Sequence, residues 1–257
     1  NNVTSATEYD DLGRATKVIA AVGTSHEIWS TTEYDLVNRR VITRSDLETK
    51  GDGKKVAIQH FDELGRVRLT RAIENIDTED PYDEEDGIKV QTRYKFDDGA
   101  NPTASNGVYS LTSNPYRATK STLATNEETM GWSLGYSPKD GKYSESETFA
   151  GATIPEPFVA SNGNTNSTGI VRTDMDANRT LVTDQAGKKR ISKTNALGQL
   201  TDVWEVKASD NDTEAIGFPT DTSITHAYKT SYSYDTLSNL TTVNQGQQTR
   251  TFTYRRF

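Results

Sequence analysis

The residue types that most often carry chemistry are few and scattered in this chain. It contains three histidines and no cysteine. His26, His60 and His226 lie far apart in sequence, each within a segment that alternates as a β-strand does. A metalloprotease site needs histidines at the spacing H-E-x-x-H, and the chain has neither that motif nor a G-x-S-x-G elbow or a P-loop. We therefore predict a protein that is not an enzyme and that has no cofactor.

Acidic residues are plentiful, and two groups of them have the composition of a calcium site, because hard cations bind carboxylate oxygens. The acidic segment from Glu74 to Gly87 lacks the D-x-[DN]-x-[DN]-G spacing of an EF-hand loop. Asp174, Asp176 and Asn178 alternate as calcium ligands do, but Arg179 stands where such a loop needs glycine. We predict a solvated acidic loop at 74–87 and a tight turn at 176–179. Calcium binding by the acidic loop stays an open alternative.

The elements that would position these side chains are indicated by one repeated motif. It consists of an aromatic residue, Asp, two variable residues and then Gly or a substitute, often followed by Arg. Four copies carry the aromatic residue, at Tyr9, Tyr34, Phe61 and Tyr234. A fifth copy has Thr194-Asn195 in place of the aromatic–Asp pair. Thr and charged residues alternate before each aromatic residue, which predicts a strand with one solvated face.

Each copy of the motif predicts a β-hairpin turn. The Asp side chain accepts hydrogen bonds from backbone N–H groups just after it, which closes an Asx-type turn. Gly13 and Gly65 would supply the positive φ, and Asn38 and Asn239 would replace glycine in that role. We also predict that each aromatic residue is buried. The predicted turn residues are Tyr9, Asp10, Gly13, Arg14, Tyr34, Asp35, Asn38, Phe61, Asp62, Gly65, Arg66, Asn195, Gly198, Tyr234, Asp235 and Asn239.

In the recurrence of Tyr-Asp-x-x-Gly-Arg, the chain resembles the YD-repeat (Rhs-repeat) family. The stretch Val182–Lys188 is similar to a second turn that these repeats commonly carry. Clear repeats cover residues 1–72 and 170–254, whereas residues 73–169 keep the spacing but lose the motif. The resemblance implies an all-β fold in which successive antiparallel β-hairpins form a curved or spiralling sheet. We predict one repeat domain over residues 1–257, with the stretch 161–169 as a surface loop.

Charge and hydropathy exclude two classes of partner. The net charge is −8, from 29 basic and 37 acidic residues, and a nucleic-acid binder needs a basic surface to displace counterions from phosphate. No apolar run is long enough to cross a bilayer. We therefore predict neither a nucleic-acid partner nor a membrane span.

The resemblance implies a structural role outside the cell. Shells built from such repeats enclose a toxin cargo, and related repeats occur in cell-surface and adhesion proteins. The family's self-cleaving core carries an Asp-Pro-x-Gly-Leu motif, which this chain lacks, so no protease role is carried over. Two functions stay open: a shell or scaffold segment, or an extracellular adhesive or filament-forming module. Both imply a secreted or cell-surface location.

The two ends of the repeat array indicate how it would associate. Thr251–Tyr254 alternates as a strand, and no partner strand follows it. An open strand edge offers main-chain hydrogen bonds to any other strand. We predict that the terminal strands pair with the remainder of a longer chain or with another copy of this one.

Overall fold

The chain forms an all-β structure. The computed structural model describes residues 3–96, 107–117, 131–158, 166–206 and 227–254. These residues form 17 strands, all antiparallel and in one open sheet. The described parts contain no helix, and hence none that is long and apolar enough to cross a membrane. The all-β prediction is confirmed.

The strands are short, with four to ten residues each. They are β1 (Ala6–Tyr9), β2 (Ala15–Ala20), β3 (Ile28–Asp35), β4 (Arg40–Ser45), β5 (Lys55–Phe61), β6 (Val67–Ile73), β7 (Ile88–Phe96), β8 (Gly107–Ser113), β9 (Gly131–Pro138), β10 (Tyr143–Ala150), β11 (Ser167–Asp176), β12 (Arg179–Thr183), β13 (Lys189–Thr194), β14 (Leu200–Val206), β15 (Ala227–Tyr234), β16 (Leu240–Gln245) and β17 (Gln248–Thr251).

The chain divides into two compact units, each assembled from separate segments. The first unit consists of Asn1–Tyr94, Ser110–Ser133 and Phe149–Asn166. The second consists of Lys95–Tyr109, Leu134–Thr148 and Ser167–Phe257. The sequence predicts one repeat domain over 1–257, and nothing in the repeat motif indicates this division.

In the first unit, β1 to β7 pair in succession, each antiparallel to the next. Strand β5 alternates strictly, so that Val56, Ile58 and His60 are buried while the residues between them are exposed. Val56 and Ile58 pack with Ile42 of β4 and Ile73 of β6. Burying each such side chain contributes roughly 1.5–3 kcal/mol, so this cluster stabilises the packing of β4, β5 and β6.

In the second unit, β11 to β17 also pair in succession as antiparallel neighbours. Its core is smaller and consists of Leu181, Ile191 and Trp204, against which Ala227 packs. Leu181, Ile191 and Trp204 are directly opposite one another in the strand register. Cross-strand contact between large side chains is the usual source of stability in a sheet.

One boundary predicted from the sequence is wrong. The predicted surface loop at 161–169 ends before Ser167, because residues 167–169 already belong to β11. Thr168 donates its hydroxyl to the Thr148 carbonyl at 3.0 Å, which ties the start of β11 to β10. Residues 161–165 and His226 lie outside the described residues.

Candidate functional site

The turn motif closes in the same way in two hairpins of the first unit. Asp62 Oδ1 accepts the N–H groups of Leu64 and Arg66, each at 2.9 Å, and Arg66 Nε donates to Oδ2 at 2.7 Å. Asp10 repeats this arrangement with Leu12 and Arg14, at 3.0, 2.8 and 2.7 Å. Gly65 and Gly13 both have φ of +76°. The Asx-type turn predicted from the sequence is present at both sites.

The second unit builds the same turn with other side chains. Asn195 Oδ1 accepts the N–H groups of Leu197 and Gln199 at 3.0 Å, and Asn195 Nδ2 donates to Gln199 Oε1 at 2.6 Å. Gly198 supplies the positive φ, at +76°. Asp235 accepts the N–H of Asn239 at 2.9 Å and its side-chain amide at 3.0 Å.

The role predicted for Asn38 and Asn239 is wrong. The positive φ values fall on the neighbouring residues, +50° at Arg39 and +67° at Ser238. Asn38 instead donates its backbone N–H and its side-chain amide to Asp35, at 3.0 and 2.7 Å. Asn239 stands four residues after Asp235, in the place of the motif's Arg, and its amide donates to the carboxylate. At Asp35 the turn is one residue longer, so Arg40 takes the place of the motif's Arg and donates its Nε to Asp35 Oδ2 at 2.8 Å.

The aromatic residues of the motif are less buried than the sequence predicts. Tyr34, Phe61 and Tyr234 are half-buried. Tyr9 is 63% exposed, so the prediction of a buried aromatic residue is wrong there. The reason is that Tyr9 ends β1, in which all four residues are exposed.

The aromatic residue of one repeat contacts the turn of the repeat before it. The hydroxyl of Tyr34 donates to the Ala15 carbonyl at 3.1 Å, and that of Tyr234 donates to the Leu200 carbonyl at 2.9 Å. Each carbonyl lies five positions after the turn Asp or Asn, here Asp10 and Asn195. The carbonyl of Leu240, five positions after Asp235, accepts the hydroxyl of Tyr254 at 2.9 Å.

Arginines of the turn add a second contact between repeats. The guanidinium of Arg14 lies 4.2 Å from the centre of the Tyr34 ring, and that of Arg66 lies 4.3 Å from the centre of the Tyr94 ring. A guanidinium held over an aromatic face is attracted by the ring quadrupole. The turn residues therefore close their own hairpin and hold the next one.

The acidic segment 74–87, here called the strap, is a surface loop with mostly exposed residues, as the sequence predicts, but it is also bound to the sheet. Ile76 of the strap packs on the core of β4, β5 and β6, and Pro81 is buried. Arg71, which is fully buried, donates to the carbonyls of Pro81, Asp83 and Asp86. The strap is bound to the sheet because its backbone carbonyls satisfy a cation that β6 carries on its buried face.

A buried histidine lies beneath the strap. His60 is 1% exposed, and Arg71 Nε donates to its Nε2 at 3.2 Å. Its Nδ1 lies 3.2 Å from Glu84 Oε1 but outside hydrogen-bonding geometry. Burial, opposed by the Glu84 carboxylate and aided by the charge of Arg71, lowers the pKa of His60 to about 4. His60 is therefore neutral at pH 7 in the folded protein.

Further charged groups connect the strap to the sheet. Arg68 binds the Glu84 carboxylate, Arg40 Nη1 donates to the Tyr82 carbonyl at 3.1 Å, and Lys89 Nζ donates to the Glu85 carbonyl. Burial alone would raise the pKa of Glu84, but the hydrogen bond from Arg68 and the charges of Arg68 and Arg71 together outweigh it, and the pKa is lowered. The strap therefore carries an ionised carboxylate next to a neutral imidazole.

The repeat motif assigns no role to Arg71 or Lys89, although the pattern of β6 indicates one for Arg71. Arg71 alternates with Leu69 and Ile73, which places a cation on the apolar face of β6. A cation at such a position needs acceptors from another segment, because a buried charge without partners is very costly. The adjacent acidic segment could have been identified as their source.

The surroundings of His60 fit a structural role. An imidazole that is 1% exposed and enclosed by Arg71 and Glu84 has no access to a substrate. Within the described ranges, no three His, Asp or Glu side chains approach closely enough to hold a metal ion.

Comparison with known proteins adds no assignment to these observations. No protein-family model matches the chain, and a search of curated proteins gives no match.

Proposed function

We propose that the chain is a non-catalytic structural repeat segment, a shell or scaffold of the YD-repeat type that encloses or presents another part. One observation carries the proposal: the characteristic side chains of the repeats bind their own hairpin or the preceding repeat. The tyrosine hydroxyls of Tyr34 and Tyr234 bind the backbone of the preceding repeat. The turn carboxylates bind their own hairpins. These residues therefore act in joining hairpins.

The carboxylates of the turns are poorly suited to acid–base catalysis, which supports the same conclusion. Both oxygens of Asp10 accept hydrogen bonds, and the backbone N–H of Arg14 helps to hold its pKa below the ordinary value. A general acid or base works best with a pKa near the operating pH. Asp10 stays ionised and bonded over the whole neutral range.

A wall made of many hairpins has a physical reason to curve. Adjacent strands in a sheet are rotated by roughly 20–25° because each strand twists to the right. Repeats that bind mainly to their neighbours pass this rotation along the array. The proposal therefore includes a curved or spiralling sheet, a secreted or cell-surface location, and a cargo or partner segment on one side of the wall.

Negative-stain electron microscopy and small-angle X-ray scattering of the purified chain test the proposal. We expect a thin, curved particle whose scattering profile fits a bent plate. The double variant Tyr34→Phe, Tyr234→Phe lacks both hydroxyl bonds between repeats. Its particles should therefore vary more in curvature than those of the parent chain. A solid, near-spherical particle would contradict the proposed role as a wall.

A second candidate, a filament-forming or adhesive module, is favoured by the exposure of β1 and β17. All residues of both strands are exposed. Tyr9, Phe252 and Tyr254 are 63%, 43% and 53% exposed. Exposed strands with apolar side chains pair readily with other chains. Sedimentation at increasing concentration should then give growing oligomers that disappear when residues 248–257 are deleted, and a monomer at every concentration would exclude this candidate.

A further inference from the structure

The strap is bound by Arg71, and Arg71 in turn donates a hydrogen bond to His60 that depends on which His60 nitrogen carries a proton. Arg71 Nε is a donor, so His60 Nε2 must present its lone pair to accept the bond at 3.2 Å. The folded arrangement therefore requires the neutral imidazole with its proton on Nδ1, the nitrogen that faces Glu84. A second proton would have to sit on Nε2 and would point at the Arg71 N–H.

Arg71 is also the residue that binds the strap most extensively. Its two terminal nitrogens donate to three strap carbonyls, those of Pro81, Asp83 and Asp86. It is fully buried, so water cannot replace these partners while the strap is closed. Any displacement of the Arg71 guanidinium by a charge on His60 therefore acts on all three strap bonds at once.

Charges from every neighbouring element face His60. Arg68 and Arg71 come from β6, Arg40 comes from β4, and Glu84 comes from the strap. Asp83 and Asp86 of the strap act on Arg71. Three cations oppose a positive imidazole, and one carboxylate favours it. In this surrounding, a protonated His60 would be a fourth cation beside a buried guanidinium.

We propose that the strap, residues 74–87, covers an apolar face of the sheet and is released from it in acid. Protonation of His60 breaks the attachment of the strap to Arg71. Release exposes the apolar face formed by Ile42, Val56, Ile58 and Ile73, on which Ile76 packs in the closed state. It also frees the acidic strap as a flexible segment. This inference goes beyond the proposed scaffold function, because one face of the sheet would then exist in two states, covered by the strap and uncovered.

The direction of the pH dependence follows from the two protonation states. Burial lowers the pKa of His60 to about 4 in the closed state, from an ordinary value of 6.5. An imidazole with a lowered pKa favours the closed strap fully above pH 6.5. That preference is lost as the pH falls from about 6.5 to about 4, because the open state binds the proton more readily. In this interval the open-to-closed ratio should rise by up to about tenfold per pH unit.

A pair of spin labels measures the opening directly. The chain has no cysteine of its own, so Gln59→Cys on β5 and Glu85→Cys on the strap place labels at two exposed positions only. Electron–electron distance measurements between pH 7.5 and 4.5 should give one short distance at pH 7.5. A longer distance should appear and grow as the pH falls through the interval above.

Two variants separate His60 from a general effect of acid. His60→Gln keeps an acceptor for Arg71 Nε but does not titrate, so its strap should stay closed down to pH 4.5. His26→Gln removes an exposed histidine and should behave like the parent chain. Opening of the parent and His60→Gln to the same extent would overturn the proposal, as would an unchanged distance in the parent.

Nuclear magnetic resonance of the unaltered chain covers the case in which His60→Gln does not fold. The ring signal of His60 should remain that of a neutral imidazole until the strap signals begin to change, and the two should titrate together. A His60 ring that becomes charged near pH 6.5 while the strap signals stay in place would refute the proposal.

Discussion

The turns at Asp62 and Asn195 have the same geometry although one is charged and the other is not. The side-chain oxygen accepts two backbone N–H groups at 2.9 Å in the first turn and at 3.0 Å in the second. The bridge between the side chains measures 2.7 Å to Arg66 and 2.6 Å to Gln199. The shape of the turn therefore depends on one acceptor oxygen and one partner four residues later, and charge is not required.

The two turns differ in the contacts that they make with the neighbouring repeat. Arg66 reaches beyond its own turn and covers the Tyr94 ring at 4.3 Å. In the other turn, the contact with the next repeat consists of the Tyr234 hydroxyl on the Leu200 carbonyl. Charged turns add a cation–π contact and a dependence on pH to a geometry that amides can also provide.

The largest expected effect comes from removing the aromatic ring that joins two repeats. Tyr34→Ala and Tyr234→Ala should each lower the free energy of unfolding by about 2–4 kcal/mol, somewhat below the loss for a fully buried aromatic residue. Tyr34→Ala should cost about 0.5–1 kcal/mol more, since Arg14 stacks on its ring at 4.2 Å. Denaturant unfolding of both variants measures the difference.

Tyr9→Ala is the matched control for that series. Tyr9 occupies the same place in its motif but is 63% exposed, so its replacement should cost less than about 1 kcal/mol. Tyr34→Phe and Tyr234→Phe remove only the hydroxyl bond and should each cost about 0.5–1.5 kcal/mol. If Tyr9→Ala lowers the free energy of unfolding as much as Tyr34→Ala does, the tyrosine of the motif does not stabilise the protein through its contact with the preceding repeat.

A smaller effect should separate the two turns when the pH is lowered. Burial opposes ionisation of Asp62, but the hydrogen bonds from Arg66 outweigh it and lower its pKa below the ordinary value of 3.8. A carboxylate with a lowered pKa contributes stability that is complete above 3.8 and is lost as the pH falls through the folded value. Asn195 does not titrate, so its turn should keep its geometry in the same interval.

Amide signals of the two turns provide the measurement. Between pH 5 and 2.5, the N–H resonances of Leu64 and Arg66 should shift, whereas those of Leu197 and Gln199 should not. Asp62→Asn should remove the pH dependence of the first pair and leave the turn closed. Equal shifts in both turns would indicate global acid unfolding in place of a local titration.

Much of this comparison could be predicted from the sequence, because an Asx turn is a local structure. Asp10 and Asp62 bind N–H groups only two and four residues away. The motif contains every atom that such a turn needs. The assignment of positive φ to Asn38 was wrong because Asp35 opens a turn one residue longer, and that extra residue moves the strained position to Arg39.

The strap could not be predicted in the same way, because its partners lie far along the chain. Tyr82 donates its hydroxyl to Glu33 at 2.8 Å, across 49 residues, and its carbonyl accepts from Arg40. Composition predicts that an acidic segment is solvated, since charged residues are rarely buried without partners. The partners here are placed by the strand register of β4, β5 and β6, which the local sequence does not reveal.

The smallest expected effect concerns the residue with positive φ, which also differs between turns. Ser238 has φ of +67° where Gly198 has +76° in the neighbouring turn of the same unit. A side chain in the left-handed region costs roughly 1–2 kcal/mol, whereas glycine adopts it freely. Glycine also loses more conformational freedom on folding. Ser238→Gly should therefore raise the free energy of unfolding by only about 0.5–1 kcal/mol.

Gly198→Ser is the reciprocal exchange and should lower the free energy of unfolding by a similar amount. A Cβ atom built at Gly198 meets no other atom within 4 Å, so steric collision adds nothing to the backbone strain. The double variant, Ser238→Gly with Gly198→Ser, should be close to the parent in stability, because the two turns differ little apart from this residue. Thermal or denaturant unfolding of the three variants tests the exchange. If both single variants change the free energy of unfolding in the same direction, Ser238 and Gly198 are not under the same backbone constraint in their turns.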